Sequence, residues 1–132
     1  MSNIDASERC PCGTGLTFGE CCGPFLATRA QPPTAERMMR SRYTAYAVRA
    51  PGYLLATWHP STRPASLSLD PGIEWIGLEI LARSRGGLLD SAGTVEFRAR
   101  YRANGARDSQ HENSRFVREN KTWLYVDDLP LP

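Results

Sequence analysis

Four cysteines, Cys10, Cys12, Cys21 and Cys22, fall within 13 residues, and no other cysteine occurs in the 132-residue chain. Disulfides that stabilise a fold tend to close long loops. This spacing instead makes two tight pairs joined by an eight-residue loop. Neighbouring Cys21 and Cys22 could pair with each other only through a strained ring, and Cys10 with Cys12 hardly better. Zinc asks for four soft ligands at tetrahedral corners, with sulfur at about 2.3 Å. Two close pairs supply that. Gly13, Gly15, Gly19 and Gly23 allow the backbone angles of a tight wrap, and Pro11 stiffens the first pair. The expected cofactor is one structural zinc ion, because four thiolates leave no position for water or substrate. Redox or incidental thiols are the competing reading. Against it, no Cys-x-x-Cys beside a βαβ pattern is present.

The remaining candidates are scattered. Trp58-His59-Pro60 places a histidine where it could act as an acid or base, or cap carbonyls at a helix end. Glu79 sits among Ile76, Leu78, Ile80 and Leu81. It could face a partly buried site with a raised pKa, or pair with an arginine on the next strand. His111 and Glu112 are adjacent on a strand candidate, so they point to opposite faces and form no single catalytic pair. Glu96, Arg98, Arg100 and Arg115 suggest cross-strand ion pairs, with an arginine-lined anion site as the sharper alternative. Tyr43, Tyr46, Trp75 and Trp123 could line a pocket, though aromatics at regular spacing also make a core. The candidate pocket set is Trp58, His59, Glu79, Glu96, Arg98, His111 and Arg115. No nucleotide-phosphate motif, Ser-His-Asp triad or catalytic metal motif is present, so the sequence gives no evidence for an enzyme.

The elements that must position these residues read clearly. With 41% apolar and 23% charged residues, the chain is an ordinary globular sequence of about one domain. A net charge of +2 gives no reason to expect nucleic acid. No apolar run approaches the roughly 18 residues of a membrane span. Residues 1–9 lack the basic and apolar regions of a signal peptide, and the expectation is a cytoplasmic protein with reduced thiols. Thr34 looks like the N-cap of a helix over about 34–49, with Met38, Met39, Tyr43, Tyr46 and Ala47 at helical spacing. A shorter helix is expected at about 52–58, then a proline-rich loop over 60–72. After Gly72 the period becomes two. Strands are expected over 74–83, 94–101, 110–118 and 122–127, with Asn104-Gly105 and Glu119-Asn120-Lys121 as turns. Val95, Phe97, Ala99 and Tyr101 share one face of the second strand, and Glu96, Arg98 and Arg100 the other. Helices followed by turn-linked strands predict an α+β domain, a curved antiparallel sheet packed on helices. It would span 31–132, behind a knuckle and connector at 1–30.

Cys10-Pro-Cys-Gly-Thr-Gly15 followed by Cys21-Cys-Gly23 resembles the SEC-C motif, a zinc-binding segment. Its last ligand is usually His, where this chain has Cys22. The lysines with which SEC-C loops meet acidic partners are replaced here by Leu16-Thr-Phe-Gly-Glu20. Further on, Arg42-Tyr-Thr-Ala-Tyr46, Tyr53-Leu-Leu-Ala-Thr-Trp-His-Pro60, Gly93-Thr-Val-Glu-Phe97, His111-Glu-Asn-Ser-Arg-Phe116 and Trp123-Leu-Tyr-Val126 resemble the YchJ family of small bacterial proteins. That resemblance implies a cone-shaped nuclear-transport-factor-2-like (NTF2-like) domain with a cavity at its wide end. Fold likeness assigns no chemistry. Two functional expectations follow. In one, the chain is a zinc-stabilised adaptor whose knuckle presents Leu16, Phe18 and Phe25 to a protein partner. In the other, a small-molecule binder or enzyme uses the cavity, with His59, Glu79 and Arg98 as its polar residues.

Overall fold

The computed structural model describes residues 4–131. Met1–Asn3 and Pro132 lie outside the described residues, and with them the outer ends of the spans 1–30 and 31–132 and the start of the segment read for a signal peptide.

A 3-10 turn at Phe18–Glu20 and a one-turn helix α1 (Gly23–Leu26) lie in the cysteine-rich segment. Then come α2 (Ala35–Ala47) and α3 (Pro51–Ala56), followed by four strands, β1 (Ile73–Arg85), β2 (Ala92–Ala103), β3 (Ala106–Glu119) and β4 (Thr122–Leu129). The strands form one antiparallel meander in the order β1-β2-β3-β4. The architecture is α+β, as the period change at Gly72 predicts.

Each boundary has a local cause. Thr34 is extended, and its hydroxyl accepts the Arg37 N–H at 3.1 Å, which caps α2. The helix stops at Arg49, which sits at φ +61°. The Arg49 guanidinium then donates to the carbonyls of Asp70, Pro71 and Ile73, fixing the end of the proline-rich loop beside β1. Asn104-Gly105 and Asn120-Lys121 all have positive φ, the backbone a two-residue hairpin needs to match strand twist.

The sheet departs from strict alternation in three places. Ile76 and Leu81 are extra residues in β1, opposite a single step of β2. Val126 is extra in β4, between the pairs Arg115–Asp127 and Phe116–Tyr125. A bulge turns the residues beyond it to the other face and bends the strand. Ile76 and Leu81 are consequently exposed, while Trp75, Leu78 and Ile80 pack inward against the core.

The core joins α2 to the inner sheet face. Met38, Tyr43, Val95, Phe97, Phe116 and Trp123 share one buried cluster, and all four cysteines belong to it. The corner between β1 and β2 receives the start of α2: Ala35 N–H donates to the Gly86 carbonyl at 2.9 Å. A Cβ at Gly86 would lie 2.7 Å from the Ala35 Cβ, and its φ is +79°, so only glycine fits there. Among the described residues, no helix is long and apolar enough to cross a membrane.

Candidate functional site

The cysteine site is assembled by backbone first. Cys10 N–H donates to the Leu16 carbonyl at 2.9 Å, and Gly13 N–H to the Cys10 carbonyl at 3.2 Å. Gly13 and Gly15, at φ +84° and +89°, turn the loop back on itself. The Thr17 hydroxyl caps the 3-10 turn by accepting Glu20 N–H. Cys21 N–H reaches the Phe18 carbonyl at 3.1 Å. Both cysteine pairs are thereby brought to one point.

The four Sγ atoms all lie within 4.8 Å of one another. Cys12 and Cys21 are 3.5 Å apart, and Cys21 and Cys22 are 3.9 Å apart. A tetrahedron with metal–sulfur bonds of about 2.3 Å has edges of roughly 3.8 Å, so the cage fits a metal ion of that size. All four residues are buried, none more than 4% exposed. Four thiolates crowded together repel one another in the absence of a cation. Hydrogen bonds from Cys10 and then Cys22 hold Cys12 well below the ordinary thiol range. Hydrogen bonds with Cys10 and then Cys12 push Cys22 well above it. Burial pushes Cys21 up to about 11. The Thr14 hydroxyl, 3.2 Å from Cys21 Sγ, acts in the opposite direction. These thiols form a set that can hold a metal ion.

The cage is attached to α2. Arg40 Nη1 donates to the Cys12 carbonyl at 2.7 Å, and Cys10 Sγ is 3.7 Å from the Thr44 hydroxyl. The Arg37 guanidinium lies 5.3 Å from the Phe25 ring centroid. Of the apolar residues expected to face a partner, Phe25 is buried and Phe18 packs on the core, which leaves Leu16 exposed at 45%.

A second feature is a cavity of about 290 Å³ between α2, the end of α3 and the inner sheet face. Trp58 is carried into its wall because Tyr125 N–H donates to the Thr57 carbonyl at 2.9 Å and His59 N–H to the Tyr125 carbonyl at 2.7 Å. Arg42, Tyr43, Tyr46 and Trp75 also line it. From the sheet come Phe97, Gln110, Glu112, Ser114, Tyr125 and Asp128. Burial raises the Glu112 carboxyl above its ordinary range, with the nearby Asp128 carboxylate adding to it. Tyr125 Oη and Ser114 Oγ donate to Asp128 Oδ1 at 2.8 and 3.3 Å, and the Gln110 amide donates to Glu112.

Of the seven pocket residues expected from sequence, Trp58 is the one on this wall. His59 instead bonds Ser61 Oγ at 2.7 Å and Glu119 Oε2 at 2.9 Å. Glu79 pairs with Arg100 at 3.0 Å, Glu96 with His111 at 2.6 Å, and Arg115 with Asp127 at 2.9 Å. Arg98 faces His111 across β2 and β3 and Glu79 across β1 and β2, on the outer face. The reason is phase: Phe97 and Ala99 point inward, so Glu96 and Arg98 point out. The same parity separates His111, outside, from Glu112, inside.

The cavity residues absent from that set left weak signals. Gln110, Glu112, Ser114 and Phe116 are in step, but three polar residues on one strand face read as the wet side. Arg42 lies on the helix face of Met38, Met39 and Tyr46. Asp128 is moved inward by the bulge at Val126, which no turn residue announces.

Comparison with known proteins covers most of the chain. Residues 34–128 match the family model described as the YchJ middle NTF2-like domain, and residues 7–24 match the SEC-C motif. A UPF0225 protein of Streptomyces coelicolor is 51% identical over 118 residues, 89% of this chain and 92% of the relative. One from Chromobacterium violaceum is 48% identical over 97% of both chains. A SEC-C motif containing protein from Rhodopseudomonas palustris, solved in solution, superposes with a TM-score of 0.81. Its identity is 34%, over 93% of this chain and 98% of that one.

Proposed function

The chain belongs to the YchJ family, with a SEC-C motif ahead of an NTF2-like domain, and from that premise we propose that Cys10, Cys12, Cys21 and Cys22 bind one zinc ion in a purely structural role. The observation that carries this reading is the sulfur geometry. Four buried Sγ atoms lie at the spacing of a tetrahedron's corners, and thiolates are soft ligands suited to zinc. Bound there, zinc compensates the charge that the crowded thiolates cannot carry alone. A closed four-sulfur shell has no position for substrate, so the metal supplies no catalysis.

The metal's role in this reading is to hold the cysteine-rich segment as a clamp on α2. A protein partner at the clamp would meet Leu16 rather than the apolar trio Leu16, Phe18 and Phe25, since two of the three are used internally. That supports a clamp over a display surface. Native mass spectrometry of protein purified without chelator is the test. One zinc per chain is expected, and cobalt exchange should give the intense thiolate charge-transfer bands of a four-sulfur site. Metal-free protein with four reduced thiols and an unchanged fold would overturn the proposal.

A further inference from the structure

Arg42 is the only buried charged side chain among the described residues, at 4% exposure. A guanidinium removed from water ordinarily faces a carboxylate, because an unpaired buried charge is costly. The ion pairs of the other arginines go to Glu36, Asp90, Glu79, Glu74 and Asp127, and none includes Arg42. Its Nη1 donates to the Leu54 carbonyl at 2.8 Å and the Thr57 hydroxyl at 2.7 Å, which ties α2 to the end of α3. Nε and Nη2 have no hydrogen-bond acceptor among the described residues.

Beyond those two acceptors, the guanidinium meets aromatic ring faces. It stacks 5.1 Å from the Trp58 ring and 4.7 Å from the Tyr125 ring. Ring faces soften the charge but do not meet the planar fork of N–H groups. The Trp58 indole N–H is itself buried with no acceptor among the described residues. Both side chains line the same cavity. Burial, with no anion to offset it, lowers the Arg42 pKa to about 10. An oxyanion in the cavity would meet the unpaired edge of the Arg42 guanidinium.

We propose that this cavity is a binding site for a small organic monocarboxylate, with the carboxylate against Arg42 beside the Trp58 ring and the apolar body along Tyr46 and Trp75. About 290 Å³ lies at the lower end of ligand pockets, roughly 300–1,000 Å³, which limits the ligand to a single ring or a short chain. On the sheet side, Glu112 and Asp128 set selectivity. They repel a second carboxylate and can bond a hydroxyl or amino group at the ligand's far end.

The test uses the full-length, metal-loaded protein and four probes: benzoate, 4-hydroxybenzoate, terephthalate and benzylamine. Indole N–H resonances of Trp58 and Trp75 are followed by NMR titration. Benzoate and 4-hydroxybenzoate should shift both, with the hydroxylated probe tighter, while terephthalate and benzylamine should not. Arg42→Gln should weaken benzoate at least tenfold, and His111→Ala, on the outer face, should leave it unchanged. If Arg42→Gln does not fold, Glu112→Gln decides, because removing that carboxylate should admit terephthalate. Carboxylates that leave both indoles unmoved at millimolar concentration would overturn the proposal, and so would binding of benzylamine in preference to benzoate.

Discussion

Arg40 joins the cysteine cage to the rest of the fold: its Nη1 donates to the Cys12 carbonyl at 2.7 Å while its Nε holds Glu36 at 2.8 Å. Glu36 in turn accepts from Arg83 on β1 at 2.7 Å. One arginine therefore links the knuckle, α2 and the sheet edge. Charge-assisted bonds in such a half-buried position are worth about 1–3 kcal/mol. Arg40→Ala should lower stability by that order and speed metal release to a chelator. Denaturant melts and chelator competition measure the two effects. A variant that loses stability but releases metal at the parental rate would show that Arg40 supports the helix and not the cage.

Metal removal should be felt well beyond residues 7–24. The cysteines are part of the same buried cluster as Met38, Tyr43 and Trp123, so an empty, swollen cage would open one side of that core. Structural zinc is worth roughly 10–16 kcal/mol to small zinc-finger modules at neutral pH, comparable to a typical domain's whole stability margin of about 5–15 kcal/mol. Chelation should therefore expose α2 amides to hydrogen exchange as well as knuckle amides. Protection retained across Ala35–Ala47 after complete metal loss would mean that the clamp is dispensable to the domain. Cys21→Ser should reproduce the chelated state.

Much of this was legible in the chain because local rules act on few residues. Thr34 caps α2, the period change at Gly72 announces the sheet, and the cysteine spacing points to one metal cage. The alternation of β2 also sets Glu96, Arg98 and Arg100 on the face opposite Val95, Phe97 and Ala99, although Glu96 and Arg98 are pocket candidates by chemistry and lie on the outer face instead. The cavity wall was harder to see, for two physical reasons. Parity counts fail at a bulge: strict alternation from Trp123 and Tyr125 would place Asp127 inside, whereas Val126 adds a residue and brings Asp128 in while Asp127 pairs with Arg115 outside. Polar residues on an inner face also look like solvent-facing ones, which hid Glu112 and Ser114. His59 and Glu79 drew notice for their chemistry, yet both found partners on the surface.

The outer-face pair Glu96–His111 should matter little. Its atoms are 2.6 Å apart, with about a third of the His111 side chain and a quarter of the Glu96 side chain exposed. Pairs of this kind contribute about 0–1 kcal/mol. His111→Ala is expected to change the melting temperature by only a few degrees, and high salt should erase part of the difference. A loss comparable to that of a core truncation would place His111 in a role its position does not explain.

Glu112 should make stability depend on pH in the sense opposite to a salt-bridged acid. Burial first, and the Asp128 charge second, raise its pKa in the folded protein, while in the unfolded chain it titrates near 4.3. Between those two values the native state binds a proton that the unfolded state has released, so raising the pH favours unfolding. The stabilisation is complete below the unfolded pKa and is lost as pH climbs through the folded one. Glu112→Gln removes the titration and keeps the amide partner Gln110 within reach. The variant and parent should match near pH 4, and the variant should gain on the parent as the pH rises toward 7, as read from melting temperatures across that interval. Curves that run parallel throughout would mean that the Glu112 carboxyl is as well solvated in the fold as in the open chain.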